Sequence, residues 1–241
     1  MKHIFTAFLF YLLVAIPVCR AERTLPSFPP SQEPIPVIVD TDAACEIDDL
    51  YAIALSLLCP DRLDIQGFVA AHFGDSGGPE GIDKSYRAIQ TVIEKANMKG
   101  RFPIKKGSHP FRYSQQPEPS EGVDFIIEKA MEHDRNNPLW VVLLGPSTDI
   151  VNAYLFEPEI KDRVVVFWHG RTKWPDKCWN FNAYNDLKAV RLLFTSDLPL
   201  ILFDTGTHLS CPMEESKRTL APYGDLGEFL HRYRLKSKWY Q

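Results

Sequence analysis

Short continuous apolar runs alternate along this chain with longer stretches of helical period, and this rhythm constrains the fold more than any other feature. Residues 35–39, 65–71, 139–144, 164–168 and 200–203 predict strands, with a weaker strand at 103–105. Residues 50–58, 81–96, 123–132, 148–156, 187–194 and 225–234 carry apolar positions at helical spacing. The strands lack polar alternation, so both of their faces are buried. Strands of that kind separated by helices form a parallel sheet covered on both faces. The expected class is therefore α/β, an open, mainly parallel sheet with helices on both faces. No internal repeat and no second core is evident. In such sheets ligands bind beyond the carboxyl ends of the strands, so chemistry is sought in the residues just after each strand.

A chain of 241 residues with 45% hydrophobic residues suffices for one sizeable α/β core. Its net charge of −4 and the lack of a long basic stretch exclude a nucleic-acid polymer as partner. The N-terminus, MKHIFTAFLFYLLVAIPVCRA, has a cationic start, an apolar run from Ile4 to Val18 and a small residue at Ala21. That is a signal-peptide pattern over residues 1–21, and the run is too short for a stable membrane anchor. The expected protein is secreted or periplasmic. Residues 22–34, rich in Pro, Ser and Glu, read as a linker, and residues 35–241 as the domain. Cys45, Cys59, Cys178 and Cys211 show neither a disulfide framework nor zinc spacing and are read as packing residues.

The first strand runs into Asp40-Thr41-Asp42-Ala43-Ala44-Cys45-Glu46-Ile47-Asp48-Asp49, which places five carboxylates within ten residues. Carboxylates confined together repel and lose hydration, which makes each harder to ionise. A hard cation removes that penalty, and calcium accepts several oxygen ligands in loop geometry. The alternative is that Asp48 and Asp49 only favour the N-terminus of the next helix. That leaves Asp40 and Asp42 unexplained.

This loop resembles the D-T-D-P-G-x-D-D signature of the inosine–uridine-preferring nucleoside hydrolases. Leu144-Gly145-Pro146-Ser147-Thr148-Asp149 resembles that family's G-P-L-T-N segment. Asn180-Phe181-Asn182, followed by Asp186, resembles its E-F-N segment, and Phe203-Asp204-Thr205 its strand ending in Asp. The resemblance covers roughly residues 36–205 and implies a Rossmann-like hydrolase of ribonucleosides such as inosine and uridine, with Ca2+ as cofactor. It implies that Asp42 and Asp49 ligate calcium with the backbone carbonyl of Thr148, Asp40 being a further candidate. Asp42 would also take the proton of the attacking water. Asp48 and Asn182 would hold ribose hydroxyls. The implied partner is a small nucleoside or riboside, and a homo-oligomer is compatible with the family.

The sequence also departs from the signature. The acidic loop is two residues longer, and Glu46 either joins the site or faces solvent. The second strand ends Ala71-His72-Phe73-Gly74-Asp75, where the family has Gly-Asn, so His72 or Asp75 is a candidate sugar ligand. Asn180 replaces a Glu, with a weaker grip on the sugar. Trp168, Trp174 and Trp179 either stack on a base or belong to the core. The family's C-terminal His-Asp or Trp-Asp element finds no match, and Asp225 and His231 read as surface residues of a helix.

Two other functions compete with hydrolysis. One is a catalytically impaired binder of nucleoside or ribose on the same fold. The other is a phosphatase of the haloacid dehalogenase type, for which Asp40-Thr41-Asp42 supplies D-x-D. Ala44 stands where that family has Thr or Val, and the downstream Lys and acidic pair are missing.

Overall fold

A computed structural model describes residues 23, 34–173, 179–204 and 211–236. The proposed signal peptide and most of the linker lie outside these residues, as do Trp174 and Cys178. Cys45, Cys59 and Cys211 are free thiols.

The chain begins with strand β1 (Ile35–Thr41), helix α1 (Asp48–Leu57), β2 (Leu63–Ala70), the short α2 (Gly74–Gly77) and α3 (Gly81–Lys95). Next come β3 (Ile104–Lys106), α4 (Glu121–Met131), β4 (Leu139–Leu143) and α5 (Thr148–Phe156). The last part holds β5 (Val164–Arg171), α6 (Phe181–Asn185), α7 (Leu187–Thr195), β6 (Leu200–Asp204), α8 (Met213–Thr219) and α9 (Gly224–Lys236).

The strands form one sheet in the order β3-β2-β1-β4-β5-β6, and every pairing is parallel. Strand order reverses between β1 and β4, the crevice where Rossmann-like sheets bind ligands. All seven residues of β1 are buried, as expected for a strand covered on both sides. One face packs Ile38, Val141, Val166 and Trp168 against Ile126, Ile150 and Leu193 from α4, α5 and α7. The other packs Val37, Val39 and Phe68 against Ile53, Ile89 and Leu230 from α1, α3 and α9. Each such side chain, fully buried, stabilises the fold by about 1.5–3 kcal/mol.

Strand β2 contains a forced close approach. Pairing of β1 with β2 skips a residue, from Val37↔Ile65 to Ile38↔Gly67. A Cβ at Gly67 would lie 2.8 Å from the Phe125 ring and from Pro103, so glycine lets α4 seat on the strand.

Strand β1 extends to Thr41, two residues beyond the apolar run. The Leu144 N–H donates to the Asp40 carbonyl at 2.8 Å, and the Ala71 N–H to the Thr41 carbonyl at 2.9 Å. Asp40 is therefore still part of the sheet. On α9, Asp225 is exposed beside Lys95 at 3.8 Å, as expected of a surface residue. His231 instead is half-buried, with Nδ1 3.0 Å from the Ser216 hydroxyl.

Candidate active site

The β1–α1 loop opens at the switch point. The Cys45 N–H donates to the Asp42 carbonyl at 2.7 Å, which turns the chain directly after the strand. Glycine at 145 lets the turn after β4 approach this loop, since a Cβ there would sit 3.0 Å from Asp42 Oδ1 and 3.1 Å from its backbone nitrogen. Helix α1 starts after Ile47, and no side chain caps it. Asp48 and Asp49 occupy its first turn, where the helix dipole favours negative charge. Asp49 turns back to accept a hydrogen bond from the Thr41 hydroxyl.

These residues line a cavity of about 280 Å³. Asp42, Glu46, Asp48 and Asp49 supply its acidic wall, and His169, Trp179, Asn180, Phe181 and Asn182 are part of the same lining. Asn182 is held rigidly. Its Nδ2 donates to the Leu144 carbonyl at 2.6 Å and to the His169 carbonyl at 2.9 Å, bridging the ends of β4 and β5. With Nδ2 committed, its carbonyl oxygen remains the group for a ligand hydroxyl. The structure thus brings the sequence candidates Asp42, Asp48, Asp49, Asn180 and Asn182 to one cavity.

Four residues singled out in the sequence lie off this cavity. Asp40 is fully buried and does not line the cavity. It points from the strand into the interior, where neither of its oxygens has a partner. His72 is buried too, with both ring nitrogens engaged: Nε2 lies 2.8 Å from the Thr148 hydroxyl, and Nδ1 accepts the Gly74 N–H at 3.1 Å. Burial lowers its pKa to about 4, so the ring is neutral. Asp75 lies exposed on α2, on a different pocket beside Phe111 and Lys188. Trp168 belongs to the core, its indole N–H donating to the Gly145 carbonyl at 3.0 Å, whereas Trp179 is exposed on the cavity.

Asn180 has a local task as well, since its side-chain oxygen caps α6 by accepting the Ala183 N–H at 2.9 Å. The Thr148 side chain faces away from the cavity. Its hydroxyl, which receives His72, donates to Asp186 Oδ2 at 2.9 Å.

Asp186 is the residue that sequence reasoning undervalued. Its Oδ2 also accepts the Phe111 N–H at 2.9 Å, and Oδ1 caps α7 through Lys188 and Ala189 N–H at 3.2 and 3.0 Å. One buried carboxylate thus joins the start of α5, the loop at 111 and the start of α7, and through Thr148 it reaches His72 after β2. Removing a cap costs about 0.5–2 kcal/mol. Stranding buried donors costs about 1–3 kcal/mol more. Asp186→Ala is expected to lower stability by about 2–4 kcal/mol in denaturant unfolding. A loss below half a kcal/mol would show that these bonds are dispensable.

The electrostatics of the loop are one-sided. Burial pushes the Asp42 carboxyl well above its ordinary pKa, and Asp49, Asp48 and Glu46 push it further. Burial and Asp48 raise Asp49 to about 7, against the lowering effect of the Thr41 hydroxyl. Every side-chain charge acting on Asp42 is thus a carboxylate, a donor set that suits a hard cation. Among the described residues, no group of three or more His, Cys, Asp or Glu side chains is arranged to hold a metal. Asp42 and Asp49 offer carboxylate oxygens, and with backbone carbonyls and water these are donors of the kinds that calcium accepts.

An acid-lined cleft at the switch point of a six-stranded parallel sheet, lined also by an oriented amide and two aromatic rings, defines a Rossmann-like α/β protein with a polar site at the ligand-binding edge of its sheet. The chain belongs to the inosine-uridine preferring nucleoside hydrolase family, whose model matches residues 37–239. It is thus a member of a family of N-glycosyl hydrolases that act on nucleosides, and the phosphatase reading falls. Among solved structures it resembles the type III effector protein XopQ complexed with adenosine diphosphate ribose, with a TM-score of 0.67 and 17% identity over 87% of this chain and 68% of that one. A plant nucleoside hydrolase, PpNRh1, gives a TM-score of 0.63 and 20% identity over 86% and 71%. The purine-preferring ribonucleoside hydrolase of Gardnerella vaginalis gives 0.62 and 21% over 81% and 69%. At these identities the likeness is one of fold. No curated protein sequence matches the chain.

Proposed function

We propose that this chain hydrolyses the N-glycosidic bond of ribonucleosides to base and ribose with the help of calcium. The observation that carries this reading is the meeting of Asp42, Asp48, Asp49 and Asn182 on one cavity at the sheet's switch point. Asp48 and Asn182 hold the ribose hydroxyls, since a vicinal diol pairs with a carboxylate acceptor and an amide. Asp42 accepts the proton of the attacking water. The acidic wall stabilises the oxocarbenium character that develops on the sugar. Asp42, Asp49 and the backbone carbonyl of Thr148 would hold the calcium ion, which supplies charge that acidifies water and offsets carboxylate repulsion.

Calorimetric titration with calcium tests the metal directly. The parent is expected to bind it, and Asp42→Asn combined with Asp49→Asn to lose the binding. Equal binding by the double variant would place the ion elsewhere. Turnover of inosine and uridine, with and without a chelator, tests the reaction.

A second reading is a binder of nucleosides or ribose that does not turn them over. The adenosine diphosphate ribose held by XopQ is a ribosyl ligand of the kind such a binder would take. Nucleoside binding without turnover, in the presence of calcium, would establish this reading over hydrolysis.

A further inference from the structure

We propose that His169 is the general acid that protonates the departing base, a role that rests on the hydrolase reading above. Cleavage of an N-glycosidic bond to a purine or pyrimidine leaves an electron pair on a base nitrogen. Unless a proton arrives, that base is a poor leaving group.

Among the described histidines, His169 alone lines the cavity that holds Asp42 and Asp48. His72 is enclosed with both nitrogens bonded. His133 and His231 bond to the Asn137 carbonyl and to Ser216, away from the cavity. His109 is exposed and does not line it. The His169 ring is half-buried and bonded to no described residue, so both nitrogens are free for a ligand.

Its location follows from the end of β5. The His169 carbonyl receives Asn182 Nδ2 at 2.9 Å. Three residues on, the Thr172 hydroxyl donates to the Trp179 carbonyl at 2.6 Å. This stretch therefore ties the amide that holds the sugar to the aromatic wall. A nucleoside with its ribose at Asp48 and Asn182 and its base against Trp179 and Phe181 brings the glycosidic bond to the strand segment that carries His169.

Other proton donors on the cavity are poorer. Burial and four surrounding carboxylates drive the Cys45 thiol far above its ordinary range. Glu46 is the rival acid, since burial and Asp48 raise its pKa. It belongs to the loop that carries Asp42, Asp48 and Asp49, the groups assigned to the water, the metal and the sugar.

The reaction balances with these groups. The C1′–N bond breaks and its electron pair goes to the base, which takes a proton from the His169 imidazolium. Water adds its oxygen to C1′ and gives a proton to Asp42. Ribose and base leave, and Asp42 returns that proton through solvent to His169.

The test compares inosine with nitrophenyl riboside, whose leaving group needs no proton. With calcium present, His169→Gln is expected to lower kcat/KM for inosine by about 10²–10⁴-fold while leaving the nitrophenyl substrate near the parent rate. A structural role would lower both together, so parallel losses, or no loss on inosine, overturn the proposal. A selective loss in Glu46→Gln instead of His169→Gln would overturn it and make Glu46 the acid. A parent inactive on both substrates would overturn the hydrolase reading and this proposal with it. A second readout needs no turnover. In chelated protein, a purine base is expected to shift the His169 imidazole resonances in NMR, and binding that leaves them unmoved would overturn the placement.

Discussion

Asp42→Asn is expected to abolish nucleoside hydrolysis while leaving the protein folded. The amide has the shape of the carboxylate but accepts no proton from water. A positioned base is worth about 10²–10⁴-fold in rate. Asp42 also supplies one of the two buried carboxylates proposed for calcium, so the metal's contribution falls as well, and the loss belongs at or beyond the upper end of that range. Stability is expected to move the other way. Asp42 is nearly fully buried, and both burial and its neighbours disfavour its charge. A neutral amide there removes a repulsion and keeps the volume, so the metal-free variant melts at or above the parent temperature. Steady-state rates on inosine and thermal melts in chelator check both halves. A variant that keeps its rate to within tenfold would exclude Asp42 as the base. One that loses activity because it unfolds would instead make Asp42 a structural residue.

The parts of this site that were legible in the sequence are local in the chain. The acidic loop spans ten residues, and its burial between an apolar strand and an apolar helix could be read from hydropathy. Helix α5 is legible over its full length, residues 148–156, because apolar periodicity and the preceding Gly-Pro both mark it. Asp40 was misplaced because the end of the ladder cannot be seen in the chain. The partner that keeps it in the sheet is Leu144, more than a hundred residues away. The His72–Thr148–Asp186 bonds were hidden for the same reason, since they join residues 76 and 38 apart. Helix α8 was missed for a different cause. Its sequence, MEESKRT, is polar nearly all round, so it shows no apolar stripe to detect. Helix α2, with glycine at both ends of its four residues, lacks helix propensity altogether.

Without calcium, this protein is expected to lose stability as the pH rises from about 4 to about 7. Two buried carboxyls fix the sign and the window. Asp149 is fully enclosed. Its Oδ1 accepts the Ser108 N–H at 2.6 Å, while Oδ2 has no partner, and burial raises its pKa to about 7. Asp49 is raised to about 7 by burial and by Asp48. In the unfolded chain both groups ionise near 3.8. Between the two values the folded state holds protons that the unfolded state has released, so raising the pH favours unfolding. The associated stability is present in full below about 4 and lost as pH passes through about 7. Each pKa unit corresponds to about 1.4 kcal/mol, so the two groups together carry on the order of several kcal/mol. For a domain of this size that corresponds to roughly 10 °C or more in melting temperature. Thermal melts in chelator at pH 5 and pH 8 measure the drop. Calcium tells the two groups apart. It binds the ionised form of Asp49 and is expected to restore stability at pH 8, but it leaves the cost of ionising Asp149. Asp149→Asn keeps the acceptor for Ser108 and has no proton to lose. It is expected to raise the melting temperature at pH 8 and leave it nearly unchanged at pH 5. A parent that melts at the same temperature at both pH values in chelator would mean that neither carboxyl is held protonated by burial.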